Sequence, residues 1–221
     1  MKDEVELGAA PGFVEPDVKA EFSGLRLDWL TVKGGLGPSP APVSERLRAL
    51  SNRYRGPNVV AMRMQPIPHA YRSFFRQIGL DPDTTRIPSE QAALARLLHG
   101  GFRSQNVIED ALLIALMETG VPVWALDADL VDAGGLGIRT SVSGDRLGGS
   151  PEAPELAPGR LVVADARCVH AMLFGEVAPG HRVGRRTTHI TLFAVGVDGV
   201  PEIHIEEALW VCVEVLSTTS G

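Results

Sequence analysis

Cysteine and aromatic side chains are scarce in this chain, with two cysteines among 221 residues and Phe, Trp and Tyr together only 5%. The two thiols, Cys168 and Cys212, both fall in apolar strand-like runs, where a free thiol acts as a small hydrophobe, so a disulfide framework is excluded. Long apolar runs are missing too. The longest, Ala111 to Met117, is about a third of the length a membrane-spanning helix needs. The opening Met1-Lys2-Asp3-Glu4-Val5-Glu6 has neither the basic start nor the apolar core of a secretory signal, which predicts a soluble cytoplasmic protein with no membrane partner. An excess of positive charge is also lacking. With a net charge of −6, phosphate neutralisation has little to draw on, so DNA is not expected as a partner and tight, autonomous RNA binding is disfavoured.

Signatures of common chemistry are absent as well. Six histidines, His69, His99, His170, His181, His189 and His204, include no tight ligand pair such as two histidines four apart on a helix, and no metal is expected. Ser141-Val142-Ser143-Gly144 is not a nucleophile elbow, and no Gly-x-Ser-x-Gly occurs. Cys168 and His170 alternate on one strand and share a face, but nearness in sequence makes no catalytic pair, and both are expected to face the core or a neighbour. The glycine clusters at Gly34 and Gly134 match neither a phosphate loop nor a dinucleotide fingerprint, so no cofactor is expected.

What is present is 44% hydrophobic content over 221 residues, enough for a substantial core, and one domain over residues 1–221 is expected. Residues 1–16 read as a flexible terminus, and residues 60–216 as the core region. The patterning predicts a strand over Phe22 to Val32, a short helix over Val43 to Tyr54, and a strand over Val59 to Met64. A helix over His69 to Ile78 puts Tyr71, Phe74, Phe75 and Ile78 on one face. The next helix opens at Pro88 and stops at Gly100, and a third, capped by Ser104, runs through Glu118 to Gly120. Six β-rich runs follow, at Val121–Leu126, Leu136–Val142, Arg160–Ala164, Val169–Phe174, His189–Val197 and Ala208–Leu216. Helices first and strands after give an α+β fold, a mixed and mostly antiparallel sheet with helices packed on one side.

Four short motifs occur in an order that resembles a known family. They are the Gly100-Gly101 pair leading into Phe102-Arg103-Ser104-Gln105-Asn106 and a helix; Gly120-Val121-Pro122-Val123-Trp124-Ala125-Leu126-Asp127; Leu136-Gly137-Ile138-Arg139-Thr140 with Gly144-Asp145; and Arg160-Leu161-Val162-Val163-Ala164-Asp165. Together they are similar to the B3/B4 domain of the phenylalanyl-tRNA synthetase beta subunit, over about Gly79 to Val195. The resemblance implies a B3/B4-like sandwich, in this case free-standing, and tRNA or an aminoacyl-tRNA-like ligand as partner. No complete synthetase activity is implied.

The departures from that family decide more than the matches. Its editing pocket uses a histidine and a glutamate, and carried over residue by residue these positions are Trp124 and Phe193. An indole donates one hydrogen bond but accepts no proton near neutral pH, and a phenyl ring does neither. Val177, flanked by Glu176 and Ala178, replaces small glycines and is expected to crowd the pocket floor, and Leu113 replaces an asparagine. Asn106, Asp110, Asp127 and Asp129 are expected mainly to tie down helix and strand ends, and Arg139 and Asp165 to meet across the sheet.

Near the altered pocket lies a basic cluster, His181, Arg182, Arg185, Arg186, Thr187, Thr188 and His189, able to bind a phosphate, a tRNA terminus or a carboxylate. The resulting expectation is a tRNA-binding domain without editing chemistry. A trans-editing hydrolase is the alternative, with His170 or Asp165 replacing the lost pair. A non-catalytic small-molecule or protein-binding module is the third.

Overall fold

The computed structural model describes residues 8–218. In chain order its strands are β1 (Ala10–Pro11), β2 (Phe13–Val14), β3 (Arg26–Lys33), β4 (Val123–Asp127), β5 (Gly137–Thr140), β6 (Leu161–Ala164), β7 (Val169–Met172) and β8 (His189–Gly196). The helices are α1 (Pro16–Glu21), α2 (Ala41–Arg53), α3 (Gly56–Met62), α4 (Pro66–Gln77), α5 (Pro88–His99), α6 (Val107–Thr119) and α7 (Glu202–Ser217). The fold is α+β and its strands divide between two four-stranded sheets, ordered β1-β3-β8-β4 and β2-β5-β6-β7. All pairings are antiparallel except that of β2 with β5.

Alternation along β8 separates the two faces of the first sheet. Ile190, Leu192 and Ala194 point to one side, where they pack with Leu30 and Val32 of β3, Val123 and Ala125 of β4, and the apolar faces of α2, α6 and α7. Phe193 and Val195 point to the other side, where they meet Leu27 of β3, Leu126 of β4, Ile138 and Val163 of the second sheet, and Tyr71, Phe74 and Phe75 of α4. The result is three layers: helices α2, α6 and α7, then the first sheet, then the second sheet together with α4. Each fully buried aliphatic or aromatic side chain here contributes about 1.5–3 kcal/mol of burial.

Local chemistry explains the ends of the helices. Pro88 occupies the first turn of α5, and Gly100, at φ 75°, closes it in the left-handed region. Helix α6 is capped by the Asn106 side chain, which accepts from the Ile108 and Glu109 N–H groups. The cap is Asn106 rather than Ser104, whose hydroxyl turns to Asp110 instead, at 2.5 Å. Gly120, at φ 79°, ends the helix.

Three expectations are corrected. The strand expected at Val59–Met64 is helix α3, because Pro57 fits a helical first turn and cannot serve a sheet ladder. The strand expected at Ala208–Leu216 lies inside helix α7, whose buried Ile205, Ala208, Leu209, Cys212, Val215 and Leu216 recur at helical spacing. The loose terminus expected through residue 16 falls partly on residues 1–7, outside the described residues. From Ala10 onward the chain is instead paired, β1 on β3 and β2 on β5. No helix among the described residues is long and apolar enough to cross a membrane.

Candidate functional site

Register across the first sheet brings three aromatic residues into one row. Trp29 of β3 lies opposite Phe193 of β8, and Phe193 opposite Trp124 of β4. The Trp124 and Phe193 rings stack at 5.3 Å between centroids and 10° between planes. Phe193 is 1% exposed, while Trp124 is half-buried. The Trp124 Nε1–H donates to the Gly175 carbonyl at 3.0 Å, so its one polar group is occupied by backbone. Phe174 closes the cluster from the next turn, with its ring against Tyr71, Phe74, Phe75 and Trp124. It does so at φ 59°, a left-handed conformation that costs an aromatic residue about 1–2 kcal/mol and that the four ring contacts offset. Val177 packs into the same core. Leu113 does not, belonging to the helix-covered side.

The basic cluster leads into the N-terminal end of β8. His189 is four residues from Phe193, about 13 Å along the strand, and pairs in register with exposed Lys33. Thr187 anchors the loop: its hydroxyl donates to Asp127 at 2.5 Å and accepts the Gly184 N–H at 2.9 Å. Arg182 is engaged with Glu176 at 2.6 Å and with the Val177 carbonyl. Arg185 and Arg186 are exposed, and among the described residues neither forms an ion pair within 4.0 Å.

His170 and Asp165 sit elsewhere. The β6–β7 ladder pairs Val163 with Ala171 and Ala164 with Val169, which makes His170 the unopposed residue of a bulge. A bulge re-aims the side chain it carries. Ala171 faces the Phe193 core, and His170 projects from the opposite face of the second sheet, beneath the loop that Gly148 ties to Val169 through a 2.7 Å hydrogen bond. There the fully buried Asp165 carboxylate stands 3.0 Å from His170 Nε2. The approach is short but off-line, and among the described residues His170 Nε2 makes no hydrogen bond there. On the other side of the ring, His170 Nδ1 is 2.7 Å from His181 Nδ1. Cys168 completes the group, its sulfur and the two imidazoles offering ligand atoms within 4.8 Å of one another.

Electrostatics at this cluster follow from burial and backbone. Burial alone would raise Asp165, but the N–H groups of Asp132, Cys168 and Arg167, together with His170, outweigh it and hold the carboxyl below its usual range. Burial and the neighbouring His170 push His181 down. Burial and the Asp165 charge push the Cys168 thiol up.

The remaining polar residues hold the fold. Asp110 is buried and accepts from the Ser39 and Ser104 hydroxyls and the Gln105 N–H. Asp127 accepts from the Asp129 N–H as well as from Thr187. Arg139 and Asp165 do not meet. The Arg139 guanidinium is instead bidentate to Asp145, at 2.6 and 3.0 Å. The sequence places His181 with the basic cluster and weighs only Cys168 with His170, whereas the fold brings His181, eleven residues on, to that pair. The signal available was a Cys-x-His step followed by a turn long enough to return a third donor.

A family model described as the B3/4 domain matches residues 70–203. That span includes the aromatic partners Trp124 and Phe193, the basic loop and the Cys–His group. No curated protein matches the chain.

Proposed function

The chain belongs to the B3/4 domain family, and from that premise we propose that it recognises tRNA or an aminoacyl-tRNA-like ligand without the ester-cleaving chemistry of the synthetase editing pocket. One observation carries this reading: where the related pocket has an imidazole and a carboxylate, this chain has Trp124 stacked on Phe193, with the indole N–H already bound to Gly175. Neither ring accepts a proton, so nothing there activates a water.

Arg185 and Arg186 supply the recognition. They are exposed, free of ion pairs among the described residues, and held on a loop that the Thr187–Asp127 hydrogen bond fixes to the end of β4. Lys33 and His189 extend the basic end of the sheet. On a chain of net charge −6, a local basic end orients a phosphate-bearing ligand more than it adds bulk affinity.

A trans-editing hydrolase is the second reading, favoured by the line Asp165–His170–His181. In it the carboxylate would set the tautomer of the first ring and leave His181 Nε2 as the accepting end. Purified protein is mixed with a panel of mischarged tRNAs, and both ester hydrolysis and salt-dependent binding are followed. Binding that weakens with salt, without turnover, supports the first reading. Turnover abolished in His181→Ala supports the second, and neither binding nor turnover refutes both.

A further inference from the structure

We propose that Cys168, His170 and His181 form a three-ligand site for a borderline-soft divalent cation of the zinc class, with the fourth position open to water or an exogenous oxygen or nitrogen ligand. The donor set of one sulfur and two imidazole nitrogens is what such an ion takes, and three protein ligands leave a tetrahedral ion one free position. The ligand atoms lie within 4.8 Å of one another. A tetrahedral zinc ion needs its donors about 3.3 to 3.6 Å apart, so the sulfur moves inward and the 2.7 Å contact between the two imidazoles opens by about half an ångström. His181 can supply that movement, because it sits half-buried on the short turn Pro179–His181, whereas His170 is locked in the bulge of β7.

The surroundings match what a bound ion requires. Asp165 stands 3.0 Å from His170 Nε2, and a small turn of the ring that aims Nδ1 at the ion would align this contact into a hydrogen bond, with the ring proton on Nε2 and Nδ1 left as the lone-pair donor. This is the carboxylate–histidine–metal arrangement that orients a ligand and raises its basicity. Asp165 is itself fixed by the N–H groups of Asp132, Arg167 and Cys168, at 2.8, 2.7 and 3.0 Å. For His181 the switch is a tautomer change: its proton moves to Nε2, and the lone pair on Nδ1 turns to the ion. The thiol proton leaves to solvent.

The covering turn keeps the space clear. Gly149, at φ 65°, would place a Cβ 3.1 Å from the Cys168 Cβ and 3.9 Å from its sulfur, and Gly148, at φ 74°, would place one 4.0 Å from His181 Nε2. Both glycines are in the left-handed region; a side chain at Gly149 would crowd Cys168, and one at Gly148 would crowd the Ala178 Cβ, at 3.1 Å, on the turn that carries His181.

Cobalt(II) is the probe, titrated into the reduced, metal-stripped full chain. The expected result is one ion per chain with a thiolate-to-cobalt charge-transfer band, absent in Cys168→Ser and lost in His181→Ala. Asp165→Asn weakens the ion about 10- to 100-fold while keeping the band. The assignment of the sulfur is clean, because the second cysteine, Cys212, is fully buried and its thiol faces the Ala111 carbonyl. No band at excess cobalt, or a band that survives Cys168→Ser or His181→Ala, overturns the site. Alkylation of the wild-type protein tests it without any variant: zinc slows modification of Cys168 if the site exists, and an unchanged rate refutes it. A bound ion takes both Nδ1 lone pairs and removes the His170–His181 relay, so these readouts stand apart from the tRNA assays.

Discussion

Trp124 and Phe193 are register partners on β4 and β8, and the half-buried indole rests on a phenyl ring that solvent does not reach. Phe193 is therefore a structural support for the indole first. Phe193→Ala is expected to cost about 3–5 kcal/mol by leaving a cavity between the sheets. Trp124→Phe, which gives up the hydrogen bond to Gly175, costs about 1 kcal/mol. Urea unfolding of the two variants checks the order. Equal losses would mean that the row is not packed as described.

Arg185 and Arg186 touch no acidic partner among the described residues, so removing them leaves the fold alone. Arg185→Ala and Arg186→Ala are each expected to change stability by less than about 0.5 kcal/mol. If they contact phosphate, each lowers the slope of log affinity against log salt by about 1. Filter binding of tRNA over a salt series measures the slope, and an unchanged slope removes the loop from the interface.

Arg72 is a buried cation with a buried partner. Its side chain and that of Glu90 are 6% and 10% exposed, at 2.9 Å, and its second partner, Asp83, lies in the open. Glu90→Ala leaves the buried guanidinium with only the exposed Asp83 as its ion partner and is expected to cost about 3 kcal/mol. Asp83→Ala costs well under half of that. Thermal unfolding of the pair distinguishes the two.

Asp145 gives the fold an acid-sensitive clamp. The Arg139 hydrogen bond holds its carboxyl below the ordinary value of 3.8, so the folded state binds this proton later than the unfolded chain does. The contribution is complete above that ordinary value and disappears as pH falls through the lowered one. Asp145→Asn is expected to be less stable than the parent at pH 7 and to lose less stability on going from pH 5 to pH 3, as seen in denaturant midpoints on a pH series. Parallel acid limbs would rule out the clamp.

Helices with punctuation were legible from sequence. Pro88 and Gly100 bracket α5, Gly120 stops α6, and α4 shows its aromatic face at the expected spacing. Helix α7 was misread because Val211, Val213 and Val215 favour strands locally, and only the wider interval of its buried positions reveals the helical period. The replacement of the family's polar pair is visible residue by residue, but that Phe193 faces Trp124 and Trp29 depends on strand register. The group of Cys168, His170 and His181 needed both a bulge and a turn, which are decided by packing rather than by spacing along the chain.

Within five residues the chain enters both sheets: Ala10–Pro11 lies on β3, Phe13–Val14 lies on β5, and Gly12 passes between, so close to the Leu136 carbonyl that a Cβ would stand 2.6 Å from it. This short segment laces the two layers together like a single thread through two cloths. Tension applied from that side would load both at once, and a force-extension trace would show them giving way in one rupture instead of two.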